Sequence, residues 1–297
     1  MVTDFARIWS ALITPTRADE SLNLDALEEI VDLQIKDGVE GFYCCGSSGE
    51  GLLLTLEERK QVVEHTVRAA AGRVPVIAHV GTIRTKDVIE LADHAMKAGA
   101  MAVSMIPPYY YKFSMDEIMG YYEQVIEALP GLPAIVYNIP QFTGVEFNKD
   151  NAGRLLANPN IVGIKHTSTN LYSLERMGQA FPGKALINGF DEQFIAAYAM
   201  GAAATIGTTV NLFAPLFLKA REAFQAGDMA AAYRWQHAIN HRVEETVKIG
   251  IFNAMKYGWT LRGVDCGFCR SPFKPLDQEA RAVMEQLMAL PLEMEGT

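Results

Sequence analysis

A lysine at the end of an apolar run is the residue of this sequence best suited to covalent chemistry. Lys165 follows the apolar segment 161–164, Ile-Val-Gly-Ile. A strand that ends in lysine holds the amine partly away from water, and burial disfavours the charged ammonium. The neutral amine can attack a ketone and form an imine. The alternative is a lysine that reaches solvent or pairs with a carboxylate, and position alone leaves both interpretations open.

A tyrosine ends another apolar run, earlier in the chain. Tyr137 opens the segment Tyr-Asn-Ile-Pro, which follows the run that begins at Ala134. A phenol in this position could move a proton to or from a substrate oxygen. The side chain could equally pack inside the protein with only its hydroxyl in water. Proton transfer by Tyr137 is therefore a hypothesis that depends on what lies nearby.

Two further segments could bind the polar parts of a ligand. Gly46–Glu50 reads Gly-Ser-Ser-Gly-Glu, a small-residue turn whose amides and hydroxyls could converge on a carboxylate; it lacks the Gly-Lys-Ser/Thr ending of a P-loop. The segment Gly-Phe-Asp-Glu ends in Asp191 and Glu192, and carboxylates accept hydrogen bonds from hydroxyl groups. Each has a plainer alternative, an ordinary turn for the first and a helix N-cap for Asp191.

Two spacings resemble metal sites without completing one. Cys266 and Cys269 form a lone C-x-x-C with no second cysteine pair. His237 and His241 are four residues apart but lack the glutamate of H-E-x-x-H. We therefore interpret these cysteines as plain thiols and the histidines as a solvated helix face. We expect no metal and no organic cofactor.

The chain has a strand–helix rhythm that could bring these residues together. Eight short apolar runs, typical of parallel strands buried on both faces, alternate with amphipathic stretches. Thr55 and Ser114 each open a capping box, and Asn23 and Thr85 are expected to be helix N-caps. The predicted strands are Ile8–Ile13, Gly41–Cys45, Val74–His79, Ala102–Ile106, Ala134–Asn138, Ile161–Lys165, Ala185–Asn188 and Ala203–Gly207.

Eight strands that alternate with helices favour a closed (β/α)₈ barrel of the α/β class, the TIM barrel, over an open sheet. We expect one domain over residues 1–297, with the barrel at roughly 1–226 and a C-terminal helical extension at roughly 227–297 packed on it. The predicted helices of the extension are Met229–Tyr257 and Gln278–Leu290. Active sites of such barrels lie at the C-terminal ends of the strands. That rule selects Gly46–Glu50, Tyr137, Lys165, Gly189–Glu192 and Gly207–Thr208.

The composition limits the possible partners. A net charge of −9 and a pI near 5.2 argue against a nucleic-acid-binding surface. No apolar run has the length of a membrane span, and the first five residues lack the features of a signal peptide. Four cysteines fit free thiols in a reducing compartment. We therefore expect a cytoplasmic protein that binds a small molecule.

Together, three motifs resemble the dihydrodipicolinate synthase/N-acetylneuraminate lyase superfamily. Gly-Ser-Ser-Gly-Glu, Tyr-Asn-Ile-Pro and Gly-Ile-Lys occur in the superfamily's order and spacing over essentially the whole chain. The resemblance implies a barrel with a C-terminal helical extension, usually a homotetramer, that uses pyruvate or a 2-keto acid that yields it. It also implies that Lys165 forms the Schiff base, that Tyr137 transfers the proton and that Ser47 and Ser48 bind the keto-acid carboxylate. Tyr110 would reach Ser47 and Tyr137 from a neighbouring subunit.

Within the superfamily, three places favour the lyases over the synthases. The segment Lys165–Ser168 is similar to the lyase segment whose threonine, here Thr167, contacts the substrate. The segment 188–192 is similar to the one that binds the substrate's glycerol chain, which implies Gly189, Asp191 and Glu192 as binding residues. Phe142 stands where most synthases have an arginine. The implied reaction is the reversible cleavage of N-acetylneuraminate to N-acetylmannosamine and pyruvate.

The chain also departs from the commonest lyase pattern. Ser48 stands where threonine is usual, Phe190 where tyrosine is usual, and Thr208, an expected substrate-binding residue, where serine is usual. The methyl group of Thr208 could reshape a sugar pocket. A dihydrodipicolinate synthase, or an aldolase or dehydratase for another 2-keto-3-deoxy sugar acid, therefore stays an alternative. A non-catalytic keto-acid sensor is the alternative from a different class.

Overall fold

Eight parallel strands form a closed barrel in chain order, with β8 hydrogen-bonded to β1. The computed structural model describes residues 2–291, so our assignment of residues 1 and 292–297 to the same domain lies outside the described residues. The strands are β1 Ile8–Ala11, β2 Gly41–Cys44, β3 Val76–His79, β4 Ala102–Met105, β5 Ala134–Asn138, β6 Ile161–His166, β7 Ala185–Asn188 and β8 Ala204–Gly207.

All eight predicted strands and the barrel are confirmed. Every strand residue is buried, which explains why the sequence shows continuous apolar runs where a half-exposed sheet would alternate. The bounds of β5 and β7 match the prediction. The other strands differ by one or two residues at an end, because the last residues of several apolar runs leave the ladder to begin the loops that follow.

Helices cover the outside of the barrel and form the C-terminal extension. The helices of the described residues are α1 Val2–Phe5, α2 Leu24–Lys36, α3 Leu56–Ala70, α4 Thr85–Ala98, α5 Met115–Ala128, α6 Pro140–Thr143, α7 Gly153–Leu156, α8 Leu171–Ala180, α9 Phe194–Ala199, α10 Val210–Gln225, α11 Met229–Ile249, α12 Ile251–Leu261 and α13 Gln278–Ala289, with a 3₁₀ helix at Asp191–Gln193. None of these helices is long and apolar enough to cross a membrane.

The predicted helix starts are confirmed at three of four positions. Thr55 and Ser114 form complete capping boxes, and the side chain of Asn23 accepts a hydrogen bond from the N–H of Ala26. The assignment of Thr85 as an N-cap is wrong. The carbonyl of Arg84 already accepts the bonds from Asp87 and Val88, so α4 begins one residue earlier and Thr85 is inside its first turn.

The predicted single helix Met229–Tyr257 is also wrong, because Gly250 divides it into α11 and α12. Gly250 has a φ of 94° and donates its N–H to the carbonyl of Val247, which ends α11 in the left-handed conformation that glycine adopts without strain. Helix α11 packs along α10, and α12 packs against α13. The described part of the extension therefore lies against the helices of the barrel.

The inside of the barrel is filled by side chains. Trp9, Ile77 and Ile135 are fully buried there, and the indole N–H of Trp9 donates to the carbonyl of Phe5 in α1, 3.0 Å away. Helix α1 thus lies against the N-terminal end of the barrel. This packed interior supports the functional side chains at the C-terminal ends of the strands.

Candidate active site

A cavity of about 310 Å³ lies at the C-terminal ends of the strands. Most of the residues that the sequence indicated line it. They are Ser47, Ser48, Tyr137, Lys165, Thr167, Gly189, Asp191, Glu192 and Thr208.

The amine of Lys165 lies between two aromatic rings. Its Nζ is 4.3 Å from the centre of the Tyr43 ring and 4.1 Å from the centre of the Tyr137 ring. Only 4% of the residue is exposed, and it forms no ion pair with any residue of the 2–291 range. The alternative of a lysine paired with a carboxylate is therefore wrong. The amine is therefore buried against two aromatic rings, and no acidic side chain of the described residues is paired with it.

Tyr137 is the register partner of Lys165 across β5 and β6. Its ring stands edge-on to Tyr43, with ring centres 6.1 Å apart, and to His79, with ring centres 5.9 Å apart. These contacts fix the ring, while the hydroxyl has no hydrogen-bond partner among the described residues. A phenol held in this way beside an amine is available for proton transfer to a bound substrate.

His79 packs edge-on against Tyr137 as a neutral imidazole. Burial, followed by the positive charges of Arg59 and Lys165, holds the pKa of His79 well below its usual range. Its Nδ1 is 3.1 Å from the carbonyl oxygen of Cys45, and Arg59 donates to the carbonyl of His79 itself at 2.6 Å. His79 therefore supports the ring of Tyr137 as an uncharged side chain that is held in place through Cys45 and Arg59.

Hydroxyl groups line a second wall, formed by the turn between β2 and α3. Ser47 is exposed, whereas Ser48 is buried with its Oγ 2.7 Å from Oγ1 of Thr208. The turn needs glycine at Gly51, because a Cβ there would lie 1.9 Å from the carbonyl oxygen of Cys45. The arrangement presents hydroxyls to a polar group of a ligand near Lys165.

Thr167 and Gly189 approach each other at the ends of β6 and β7. A Cβ on Gly189 would lie 1.8 Å from Oγ1 of Thr167, so this contact requires glycine. The Thr167 hydroxyl is buried and has no hydrogen-bond partner among the described residues. Buried polar groups are nearly always paired, and one that lines a cavity is a candidate contact for a ligand.

Asp191 is a buried carboxylate. One of its oxygens accepts hydrogen bonds, and the other has no hydrogen-bond partner among the described residues. Its Oδ2 accepts from the N–H of Thr209 at 2.8 Å and from the Thr209 hydroxyl at 2.7 Å, and Oδ1 accepts from no described residue. Burial raises the pKa of Asp191 to about 6. The helix-cap interpretation is wrong, since Phe190 precedes the 3₁₀ helix and Asp191 binds the start of α10 instead. Glu192 is exposed at the cavity's edge.

Tyr110 lies outside this cavity. Its side chain is 85% exposed and touches the edge of Tyr111, with ring centres 5.1 Å apart. Its φ of 76° is a left-handed conformation that tyrosine rarely adopts. In one chain Tyr110 contacts none of the cavity residues that the sequence indicated, and its role across a subunit interface stays a prediction.

Sequence reasoning missed two parts of the cavity. Tyr43 was not selected, although its position two residues before the end of the predicted strand could have indicated an inward-facing ring. The C-terminal helices supply Val243, Val247, Ile251 and Phe252. No signal in the sequence gives the angle at which α11 and α12 meet the barrel, so this apolar wall could not be predicted.

The candidate metal residues remain thiols and imidazoles. All four cysteines are buried and free. Across residues 2–291, no three histidine, cysteine or acidic side chains are close enough to share a metal ion.

The chain is similar to one family of proteins over nearly its whole length. The profile of the Dihydrodipicolinate synthetase family matches residues 4–290. The N-acetylneuraminate lyase of Rhizobium meliloti (strain 1021) is 40% identical over 282 residues, which cover 95% of this chain and 94% of that protein.

Solved structures of the two kinds of enzyme have almost the same fold. The wild-type sialic acid aldolase of Ruminococcus gnavus matches with a TM-score of 0.93 and 29% identity, over 96% of each chain. A dihydrodipicolinate synthase of Bacillus anthracis matches with a TM-score of 0.92 and 27% identity, over 97% of this chain and 99% of that one. The backbone alone therefore does not separate lyase from synthase. The chain belongs to the Dihydrodipicolinate synthetase family.

Proposed function

We propose that this protein is a class I aldolase, a carbon–carbon lyase that reversibly cleaves N-acetylneuraminate to N-acetylmannosamine and pyruvate. The observation that carries the proposal is the amine of Lys165, buried between Tyr43 and Tyr137 without an acidic partner. The relatives named N-acetylneuraminate lyase and sialic acid aldolase support the choice of substrate.

The reaction begins with attack of the Lys165 amine on the C2 ketone of the open-chain sugar acid. Loss of water gives an iminium, which can accept an electron pair from the neighbouring bond. The carboxylate of the substrate binds at the hydroxyls of Ser47 and Ser48, next to the Ser48–Thr208 contact. No metal or organic cofactor is required, because the iminium itself is the electrophile.

Cleavage follows when Tyr137, alone or with the substrate's own carboxylate, takes the proton of the C4 hydroxyl. The C3–C4 bond breaks, its electron pair moves into the iminium, and N-acetylmannosamine leaves as the aldehyde. The resulting enamine is protonated at C3, and water then releases pyruvate from Lys165. The pairing of Tyr137 with Lys165 in the strand register supports this division of roles.

The rest of the sugar extends along the wall formed after β6 and β7. Thr167, Asp191 and Glu192 all line the cavity there, and the first two present polar atoms without described partners. Gly189 leaves room for the Thr167 contact. These four residues form the proposed binding site for the hydroxylated part of the substrate.

The nearest rival is the same chemistry with another partner. A dihydrodipicolinate synthase would bind a substrate with a second acid group, and the cavity carries Phe142 where most synthases have an arginine. Phe142 is 64% exposed and offers no charge. It does not weigh against an aldolase or dehydratase for another 2-keto-3-deoxy acid. A keto-acid sensor would not need the Tyr137–Lys165 pair.

We also propose that the chain folds as one domain and assembles as a homotetramer in the cytoplasm. The packing of α11 against α10 supports the first, and the four free thiols support the reducing compartment. Exposed aromatic side chains after β4, Tyr110 at 85% and Tyr111 at 63%, support burial of this loop by a second subunit.

Pyruvate release from a panel of sialic acids and 2-keto-3-deoxy acids tests the proposed substrate. N-acetylneuraminate should give the highest kcat/KM, and Lys165→Arg should release none, because a guanidinium stays protonated and cannot attack a ketone. Faster release from another 2-keto-3-deoxy acid would transfer the assignment to that substrate. No release from any of them, with binding intact, would support the sensor.

A further inference from the structure

A buried ion pair lies behind the turn that contains Ser47 and Ser48. Glu50 is in that turn, and its carboxylate is 2.6 Å from Nζ of Lys256 on α12. Only 2% of the Glu50 side chain and 1% of the Lys256 side chain are exposed. Neither residue lines the cavity, so any effect on the reaction must act through others.

We infer that the Glu50–Lys256 ion pair positions the carboxylate-binding turn against α12 and thereby sets the affinity for the 2-keto acid end of the substrate. The inference rests on the proposed function, because it assumes that Ser47 and Ser48 bind that carboxylate. Glu50 and Lys256 are positioning residues and do not touch the substrate.

Both charged groups are held in one geometry by further hydrogen bonds. The second oxygen of Glu50 accepts the backbone N–H of Arg270 at 2.7 Å. The Lys256 amine also donates to the carbonyl of Phe268 at 2.9 Å and to the hydroxyl of Thr16 at 3.3 Å. Among the described residues, Oε1 of Glu50 has its ion-pair contact with Lys256 and no hydrogen bond. The hydrogen bonds to Oε2 and to the Lys256 amine tether both buried groups, so the pair defines a distance between the elements that carry it.

The turn itself has a backbone that needs outside support. Cys45 and Glu50, which flank the two serines, have φ values of 59° and 54°, a left-handed conformation unfavourable for both residue types. Two short backbone bonds close the turn, from Glu50 N–H to the Ser47 carbonyl at 3.1 Å and from Gly51 N–H to the Gly46 carbonyl at 3.0 Å. The side chain of Glu50 then ties this strained turn to the C-terminal segment.

Lys256, the other residue of the ion pair, is on the helix that forms part of the apolar wall of the cavity. Helix α12 begins with Ile251 and Phe252, which line the cavity. Lys256 follows Phe252 by four residues, so the two share a face of the helix. Gly250 separates α12 from α11, so the direction of α12 is not fixed by a helix that continues from α11. The ion pair therefore connects the serine turn with the helix that supplies Ile251 and Phe252 to the cavity.

The test removes both charges together. Loss of one partner would leave an unpaired buried charge, whereas Glu50→Gln with Lys256→Met leaves two neutral side chains of similar volume. Borohydride inactivation is then measured at increasing pyruvate concentrations, which gives a half-saturating concentration and a maximal rate. We expect the half-saturating concentration to rise about tenfold, equivalent to about 1.4 kcal/mol of lost binding, with the maximal rate within about twofold of wild type.

Glu40→Gln is the matched control at the opposite end of β2. Glu40 forms a two-point ion pair with Arg221, at 2.6 and 2.7 Å, far from the serine turn. Its loss should lower the melting temperature and leave the half-saturating pyruvate concentration unchanged. An equal rise in this control would mean that loss of any ion pair next to β2 has the same effect, which overturns the inference.

The remaining outcomes are also decisive. A folded double variant with wild-type half-saturation overturns the positioning role while the aldolase assignment stands. If the double variant does not fold, Glu50→Asp is used instead, because it keeps the charge and shortens the side chain. A wild-type half-saturating pyruvate concentration in that variant would also overturn the positioning role. Wild-type protein that borohydride and pyruvate do not inactivate would instead refute the proposed function.

Discussion

The charge of Asp191 is expected to strengthen substrate binding and to lower the stability of the fold, and one substitution tests both effects. Asp191→Asn keeps the shape of the side chain and removes its charge. In the wild-type protein Oδ2 is hydrogen-bonded to Thr209, and Oδ1 is buried without a described partner in a residue that lines the cavity. We propose that Oδ1 accepts a hydrogen bond from a hydroxyl of the sugar.

The expected loss of activity follows from the charge on that acceptor. A hydrogen bond to a charged group contributes about 1.5–3 kcal/mol, so Asp191→Asn should lower kcat/KM for N-acetylneuraminate by about ten- to a hundredfold at pH 7.5. Since the pKa of Asp191 is raised to about 6, the wild-type contribution should fade below that pH. The variant should lack this inflection.

Removing the charge of Asp191 should lower activity but raise the stability of the folded protein at neutral pH. The folded-state pKa of about 6 is above the ordinary value of 3.8, so the folded protein holds a proton that the unfolded chain has lost between these values. Wild-type stability attributable to Asp191 is therefore highest below pH 3.8 and is lost as the pH rises to about 6. At roughly 1.4 kcal/mol per pH unit the loss is at most about 3 kcal/mol.

The assay is urea unfolding of wild type and Asp191→Asn from pH 5 to pH 8. The variant has no charge to bury, so its stability relative to wild type should increase across this range and level off above about pH 6.5. Parallel stability curves would show that the carboxylate is not desolvated in the folded protein. Equal kcat/KM in the two proteins would show that its free oxygen does not bind the substrate.

Three further predictions concern neighbouring features. Glu192→Ala should lower kcat/KM for N-acetylneuraminate about ten- to a hundredfold and leave imine formation with pyruvate unchanged; equal cleavage rates would exclude Glu192 from sugar binding. Hybrid oligomers of inactive Lys165→Ala and Tyr110→Phe chains should regain activity if Tyr110 acts across an interface, and the shared site is wrong if demonstrably mixed chains stay inactive. Prolonged chelation should leave the cleavage rate unchanged, and a loss that zinc restores would mean that the Cys266–Cys269 or His237–His241 spacing was dismissed in error.

The strands and the residues at their ends were predictable for a physical reason. A parallel strand covered on both faces must be apolar throughout, so Lys165 and Tyr137 were visible as polar ends of apolar runs. The barrel then brings such ends to one face, which is why nine of the indicated residues line one cavity. The motif resemblance added the expected roles.

Details that depend on tertiary contacts were not predictable. A glycine such as Gly250 can end a helix or lie within one, and only the packing of α11 and α12 decides between them. The same packing directs Ile251 and Phe252 into the cavity. Asp191 looked like a local helix cap, whereas its partner, Thr209, is eighteen residues away in the sequence.

Reduction with borohydride in the presence of pyruvate, followed by mass spectrometry of the peptides, tests the proposed chemistry most directly. One reduced pyruvyl group should be found on Lys165 alone, and the loss of activity should parallel this labelling. Lys256, which is also buried but is held in its ion pair with Glu50, is the internal comparison and should remain unlabelled. Label on Lys256 or another lysine, or full cleavage activity after reduction, would contradict the assignment of Lys165 as the Schiff-base residue.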